Sequence, residues 1–187
     1  MDEVQTGFGR TGRNFAHQLF GVKPDIMGCG KAAGGGILPV SFVAGSDEVL
    51  GVLTPGSEGS TFGGYPLASV VGTYAIKVMV DENLAENAEI RGAQLMNNLK
   101  DIQSHYPDKI KEVRGKGLLT AFEMFDDKHL DGHKVSVGLM DRGVYAKETH
   151  HTTVRLAPAL TIESEQIETL SNAVKDVSYT HLRAHET

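Results

Sequence analysis

Lys31 stands in the run Gly28-Cys29-Gly30-Lys31-Ala32-Ala33-Gly34-Gly35-Gly36. A lysine amine serves as nucleophile and base once desolvated, and flanking glycines remove the Cβ atoms that would obstruct its approach to a bulky planar group. A solvated loop lysine is the alternative reading of the same run. Asp2 lies 29 positions upstream, far enough for the two side chains to sit on adjacent strands facing one ligand. Two phosphate-binding readings fail. Gly7-Phe8-Gly9-Arg10-Thr11-Gly12 fits G-x-G-x-x-G, but a dinucleotide fingerprint needs an apolar strand before it and an acid at a strand end about 20 residues on. Asp2-Glu3-Val4-Gln5-Thr6 precedes it instead. Gly30-Lys31 matches the end of a P-loop, yet Asp25 and Ala32 stand where glycine and a hydroxyl residue are required. His150-His151 is a weak metal signal, because adjacent residues on a strand point to opposite faces and no cysteine or carboxylate set accompanies them; no metal is expected.

The elements that would position these residues change character along the chain. The first 66 residues are glycine-rich, and the apolar run Pro39-Val40-Ser41-Phe42-Val43-Ala44 predicts short buried strands joined by loops. From Leu67 to about Tyr106 the apolar residues follow helical spacing, with a break at Asp81 to Asn83 and a stop at Pro107. Beyond it a small α/β unit is expected. Its strand candidates are Leu118–Met124, entered through Arg114-Gly115-Lys116-Gly117, then Val144–Ala146 and Val154–Leu156. Its helices are read over His133–Asp141, ending near Gly143, and from Ser164 to about Val177. In Ser178–Thr187 the apolar period lapses. The run SYTHLRAHET reads as translated adapter sequence, so it is set aside as a non-native tail together with His181 and His185.

Composition excludes several function classes. The net charge of −6 lacks the basic excess of a nucleic-acid binder. Hydrophobic residues at 40% and charged residues at 22% suit a globular chain, with no apolar run long enough for a membrane span. MDEVQTGFGR carries no signal-peptide pattern. Cys29 is the single cysteine, which excludes an intrachain disulfide and fits a reducing, cytoplasmic setting. Tryptophan is absent, so the core is expected from Val, Leu, Ile and Met.

A pyridoxal phosphate site needs a lysine for the Schiff base and a carboxylate beside the pyridine nitrogen. Asp2-Glu3-Val4-Gln5-Thr6-Gly7-Phe8-Gly9-Arg10-Thr11-Gly12 is followed by Pro24-Asp25-Ile26 and by Gly30-Lys31-Ala32 with Gly34 to Gly36 and Pro39. Gly59-Ser60-Thr61-Phe62-Gly63-Gly64 with Pro66-Leu67-Ala68 comes next. In this order the motifs resemble those of class III aminotransferases, fold-type I pyridoxal-phosphate enzymes, over residues 1 to about 177. Within the class, Tyr145-Ala146-Lys147 with Thr149-His150 and Val154-Arg155-Leu156-Ala157-Pro158-Ala159-Leu160 look most like the ornithine aminotransferases. Acetylornithine and 4-aminobutyrate aminotransferases share the cofactor motifs and usually differ in that stretch.

The resemblance implies specific roles. Asp2 would pair with the pyridinium nitrogen and Gln5 with the ring's phenolic oxygen. Lys31 would hold pyridoxal 5'-phosphate and shuttle the proton. Ser60 and Thr61 would reach the phosphate of the neighbouring subunit's cofactor in a homodimer. Arg155 would grip a substrate carboxylate. The partners implied are an amino acid and a 2-oxo acid, with ornithine δ-amino transfer to 2-oxoglutarate as the reaction, and neither nucleic acid nor membrane. The implied architecture is α/β: residues 1–66 as the end of an incomplete large domain, 67–106 as connecting helices, 107–177 as the small C-terminal domain and 178–187 as the tail. In full-length members a long preceding segment supplies the phosphate turn and the ring-stacking aromatic, so these 187 residues alone are expected to bind cofactor poorly and to turn over little. A non-catalytic oligomerisation partner is the alternative from another class.

Overall fold

Alternation along Leu119–Met124 places Thr120, Phe122 and Met124 in the interior, while Leu119, Ala121 and Glu123 stay half-buried. This strand anchors one of two compact units in the computed structural model, which describes residues 1–126 and 131–183, with side chains of the final helix described to Tyr179. The units divide between Glu86 and Asn87.

The first unit carries β1 (Ile26–Cys29) and β2 (Phe42–Gly45), an antiparallel pair in the register Ile26↔Gly45 to Cys29↔Phe42. Asp2 forms a parallel bridge to Gly28 on the strand β1. A four-residue helix α1 (Asp47–Leu50) follows, capped by Ser46. Helix α2 (Pro66–Asp81) opens on Pro66, whose missing N–H costs nothing in a first turn. A small core gathers Phe8, Cys29, Ala33 and Met79, with Phe15 edge-on to Phe8 at 5.4 Å between ring centroids. The expectation of buried strands fails for β2: Phe42 and Val43 are 40% and 58% exposed. The sheet has two strands, and a strand with a single partner leaves much of its apolar surface outside.

The second unit is built on α3 (Leu84–His105), which presents Ala88, Leu95, Leu99 and Ile102 to its interior. The sheet is antiparallel throughout in the order β3 (Ile110–Lys116), β4 (Leu119–Met124), β6 (Thr153–Leu156), β5 (Lys147–Thr149). Helix α4 (Gly132–Met140) starts at Asp131, whose carboxylate accepts from the Lys134 amide at 2.8 Å. Helix α5 (Ser164–Arg183) buries Ile167, Leu170, Ala173, Val174 and Val177 in the same core as Phe122, Leu139 and Leu156. Asn87 ties α3 to the segment before α5, donating to the Leu160 and Ile162 carbonyls at 2.6 and 3.1 Å. Gly92 is where α3 crosses the β3–β4 turn, and a Cβ there would lie 2.2 Å from the Gly117 oxygen.

The two helices broken near Asn83 are found as expected, with Asn83 itself left-handed at φ 51°. The strand β3 takes in residues 110–116, including most of the Arg114-Gly115-Lys116-Gly117 stretch expected only to lead into the next strand. Its Lys111, Glu112, Arg114 and Lys116 face solvent, the first three paired with one another or with Glu123, and so mask the apolar period. Val144–Ala146 is no strand; the Val144 amide closes the end of α4 on the Leu139 carbonyl. His150 and His151 occupy the β5–β6 turn, both at positive φ (53° and 63°), in the three-residue connection between the paired Thr149 and Thr153. They are not alternating strand positions. The last helix continues beyond Val177 to Arg183. The His181 side chain and all of His185 lie outside the described residues. Among the described residues, no helix is long and apolar enough to cross a membrane.

Candidate functional site

Asp2 and Lys31 enter the first unit through two segments that run side by side. The Glu3 amide donates to the Gly28 carbonyl at 2.9 Å and the Gly28 amide to the Met1 carbonyl at 3.0 Å. This parallel pairing makes both segments emerge at one end, the place where open α/β sheets collect their ligands. Asp2 is exposed there, its Oδ1 accepting from the Val4 amide at 2.9 Å. Gln5 is exposed in the turn that follows, which the Gly7 amide closes on the Glu3 carbonyl at 3.0 Å. On the neighbouring segment β1 gives way, after Gly30, to a 3-10 turn over Lys31–Gly34. Asp2, Gln5 and Lys31 thus share one end of one unit.

Lys31 has φ 47° and an exposed side chain. A lysine gains nothing locally from the left-handed region, so its surroundings impose that conformation, and such outliers gather at functional sites. The turn is held by the Ala33 amide on the Gly30 carbonyl at 3.1 Å and the Gly35 amide on the Ala32 carbonyl at 2.9 Å. Not every glycine around the lysine clears space for a ligand. A Cβ on Gly34 would come within 3.3 Å of Val40 and one on Gly35 within 3.1 Å of Ala75, so these two let the turn pack against Val40 and α2. Gly28 differs: a Cβ there would meet nothing within 4 Å.

Glu3 is the residue that the sequence reading passed over. It is wholly buried, and both carboxylate oxygens are used. Oε2 accepts from the Thr6 hydroxyl and from the Ala16 amide at 3.1 Å. Oε1 accepts from the His17 amide at 2.8 Å and lies 3.2 Å from the His17 ring Nδ1. Burial by itself pushes the Glu3 carboxyl up, but these donors together hold it below the usual glutamate range. The Cys29 thiol is pushed up, first by burial and then by the Glu3 charge. The extended bridge at Asp2 held the missing signal: successive side chains alternate, so one acid of an adjacent pair turns inward when the other turns out.

Ser60 and Thr61 lie on an exposed loop before α2, where the Gly63 amide returns to the Ser60 carbonyl at 3.2 Å. Ser60 also lines a cavity of about 500 Å³ with Val40, Phe42, Tyr65, Ser69 and Ile76. Asp2, Gln5 and Lys31 do not line it. Arg155 belongs to the second unit. It sits half-buried on β6, an inner strand flanked by β4 and β5, opposite Ala121 on one side and Lys147 on the other. Two cations directly opposite each other destabilise a sheet unless an anion joins them. Among the described residues, no cluster of three or more His, Cys, Asp or Glu side chains is placed to hold a metal ion.

A family model described as aminotransferase class-III matches residues 1–177. Ornithine aminotransferase of Staphylococcus carnosus (strain TM300) is 45% identical over 176 residues, which are 94% of this chain and 43% of the relative. The structure of ornithine aminotransferase from Toxoplasma gondii ME49 superposes with a TM-score of 0.93 at 38% identity, over 98% of this chain and 44% of that one. Acetylornithine aminotransferase from Elizabethkingia anophelis superposes at 0.89 with 38% identity, over 95% and 44%. The chain therefore spans less than half the length of each.

Proposed function

Because the chain belongs to the class-III aminotransferase family and carries part of the fold-type I architecture, we propose that it supplies the lysine side of an ornithine aminotransferase site. The observation that carries this reading is Lys31, held left-handed beyond β1 at the end where Asp2 and Gln5 emerge. The donor set fits pyridoxal phosphate: an amine for the aldehyde, a carboxylate for the ring nitrogen, an amide for the phenolic oxygen and hydroxyls for the phosphate. When bound, the cofactor supplies an electron sink for the carbon that bears the amino group.

The chain's own residues do the rest. The Asp2 carboxylate would hold a proton at the ring nitrogen. The Gln5 amide would orient the ring from its phenolic side. Lys31 Nζ would hold the ring through its aldehyde and would move the proton at the substrate carbon that bears the amino group. Ser60 and Thr61 offer hydroxyl donors to phosphate in a homodimer, where they serve the neighbouring subunit. Arg155, beside Lys147 in the sheet register, binds a carboxylate of glutamate or 2-oxoglutarate, which also offsets the repulsion between the two cations. The net reaction moves the δ-amino group of ornithine to 2-oxoglutarate, giving glutamate semialdehyde and glutamate.

The likeness to the Staphylococcus and Toxoplasma ornithine enzymes supports the ornithine assignment; the equal identity to the acetylornithine structure makes N-acetylornithine the second substrate to test. The test compares transamination of ornithine, N-acetylornithine and 4-aminobutyrate by the full-length protein of which this chain is the matching part. Faster turnover of ornithine, abolished in Lys31→Ala, is the expected result. Preference for either other donor, or activity that survives Lys31→Ala, contradicts the proposal.

A further inference from the structure

Resting on that functional reading, we propose that Glu3 is a positioning residue, a buried clamp that aims Asp2 and Gln5 without touching the cofactor. Glu3 joins three chain segments at once. Its amide holds β1 through the Gly28 carbonyl, and its carbonyl closes the turn that carries Gln5 through the Gly7 amide. Its carboxylate gathers the Thr6 hydroxyl, the Ala16 and His17 amides and the His17 ring. The two amides open the 3-10 turn Ala16–Phe20. One side chain therefore sets the position of this turn relative to the end of the segment where Asp2 and Gln5 emerge.

A charged side chain is a poor filler for a site that only needs volume, since an apolar residue avoids the desolvation cost. Four converging donors specify one arrangement of the carboxylate instead. Alternation along the segment then turns Asp2 outward while Glu3 points in. The Asp2 carboxylate is held in turn by the Val4 amide, which lies inside the turn closed on Glu3. Shifting Glu3 shifts the Val4 amide, and with it the direction of Asp2. Gln5 moves with the same turn.

The decisive variant is Glu3→Gln. It keeps the shape but replaces one oxygen by an NH2, so either the Ala16 or the His17 amide loses its acceptor. Hydrogen exchange of the ¹⁵N-labelled chain, without cofactor, is read at Val4, Ala16 and His17, with Leu95 and Leu99 as references in the second unit. The expected result is exchange about 10- to 100-fold faster at Ala16 or His17 and at Val4, with the references unchanged. Thr6→Val, which removes a single donor, gives the same pattern at smaller amplitude and decides the matter if the Glu3→Gln chain fails to fold. Faster exchange at Ala16 and His17 with Val4 unchanged overturns the proposal, because Glu3 would then brace the turn without aiming Asp2. Uniform acceleration through the first unit, or unprotected Ala16 and His17 in the wild-type chain, overturns it too.

A parallel measurement separates this clamp from the functional reading. Pyridoxal phosphate is added to the full-length protein used for the transamination test, the lysine adducts are reduced with borohydride, and the modified peptides are mapped by mass. Preferential labelling of Lys31, reduced about tenfold in Glu3→Gln, supports both. Full-length wild type without preference for Lys31 overturns the functional reading, while the exchange pattern still decides the clamp.

Discussion

Replacing Lys31 by glycine should make the first unit more stable than replacing it by alanine, the reverse of the usual order. At an ordinary position alanine is favoured by about 0.5–1 kcal/mol, because glycine loses more backbone freedom on folding. At φ 47° the comparison changes. Any residue with a Cβ in the left-handed region carries about 1–2 kcal/mol that glycine does not. Subtracting the entropy term leaves glycine ahead by about 0.5–1 kcal/mol. The lysine side chain is exposed, so truncation removes little packing, and Lys31→Ala is the control that retains the strain. The assay is urea unfolding followed at the amides of Ala33 and Gly35, which bond across the turn. With a slope of about 1–2 kcal/mol per molar, the midpoints should differ by roughly 0.5 M. Both variants lose the amine. A site lysine that is locally destabilising, and whose removal relieves the chain only when the Cβ goes as well, holds its conformation for a reason other than stability. An alanine variant as stable as the glycine variant, or more so, refutes the reasoning.

Gly92→Ala should act in the opposite sense. Helix propensity alone would favour alanine by about 1 kcal/mol. The new Cβ would meet backbone, however, 2.2 Å from the oxygen and 2.3 Å from the carbonyl carbon of Gly117. Neither side can yield by a rotamer change, so a net loss of about 2 kcal/mol is expected, seen as a fall of roughly 10 °C in the melting of the second unit; an unchanged melting temperature contradicts the crossing. Acidification should weaken the first unit through Glu3. Its carboxyl is held below the unfolded value, so the stabilisation is complete above the ordinary glutamate range and is lost as pH falls through the folded value. Urea midpoints measured from neutral to acid pH should show a drop for the wild type that is much reduced in Glu3→Gln, and parallel curves contradict this.

The helices were the most legible part of the fold. Leu95, Leu99 and Ile102 keep the buried stripe of α3, whereas α2 buries Gly72 and Met79 and leaves Val70, Tyr74, Ile76 and Val78 exposed, so its apolar spacing marks a helix without marking a core face. The strand β3 was not legible. Lys111, Glu112 and Arg114 face solvent and find partners in Glu123 and in one another, so the pairing that makes the strand is written in charges up to 12 residues apart rather than in apolar alternation. The strand β5 failed for a related reason. Its three residues are fixed by the hairpin over His150 and His151, and two consecutive histidines at positive φ carry no turn signal of the Asn-Gly kind. In both cases the deciding contacts are between strands, and single-strand patterns do not contain them.

The site divides along the same line. Residue types alone left Lys31 open to a solvated-loop reading and Asp2 to that of a surface acid; the ordered motifs that resemble class III aminotransferases singled the two out. Their placement rests on two facts that types cannot carry: a parallel bridge at Gly28, and a backbone angle that lysine does not choose. Glu3 shows the consequence. Next to a candidate acid it reads as a second acid of the same kind, yet the structure turns it inward to collect Thr6, Ala16 and His17. Two of those three partners contribute backbone amides, which any residue could supply, so no residue type marks the contact. What distinguishes Asp2 from Glu3 is only which side of one extended segment each occupies. A shift of that segment by one residue would exchange them, burying Asp2 among the donors and presenting Glu3 at the open end. The clamp is therefore also a register lock: four donors suited to a glutamate's reach oppose the shifted pairing, in which the shorter Asp2 side chain would have to span the same gap.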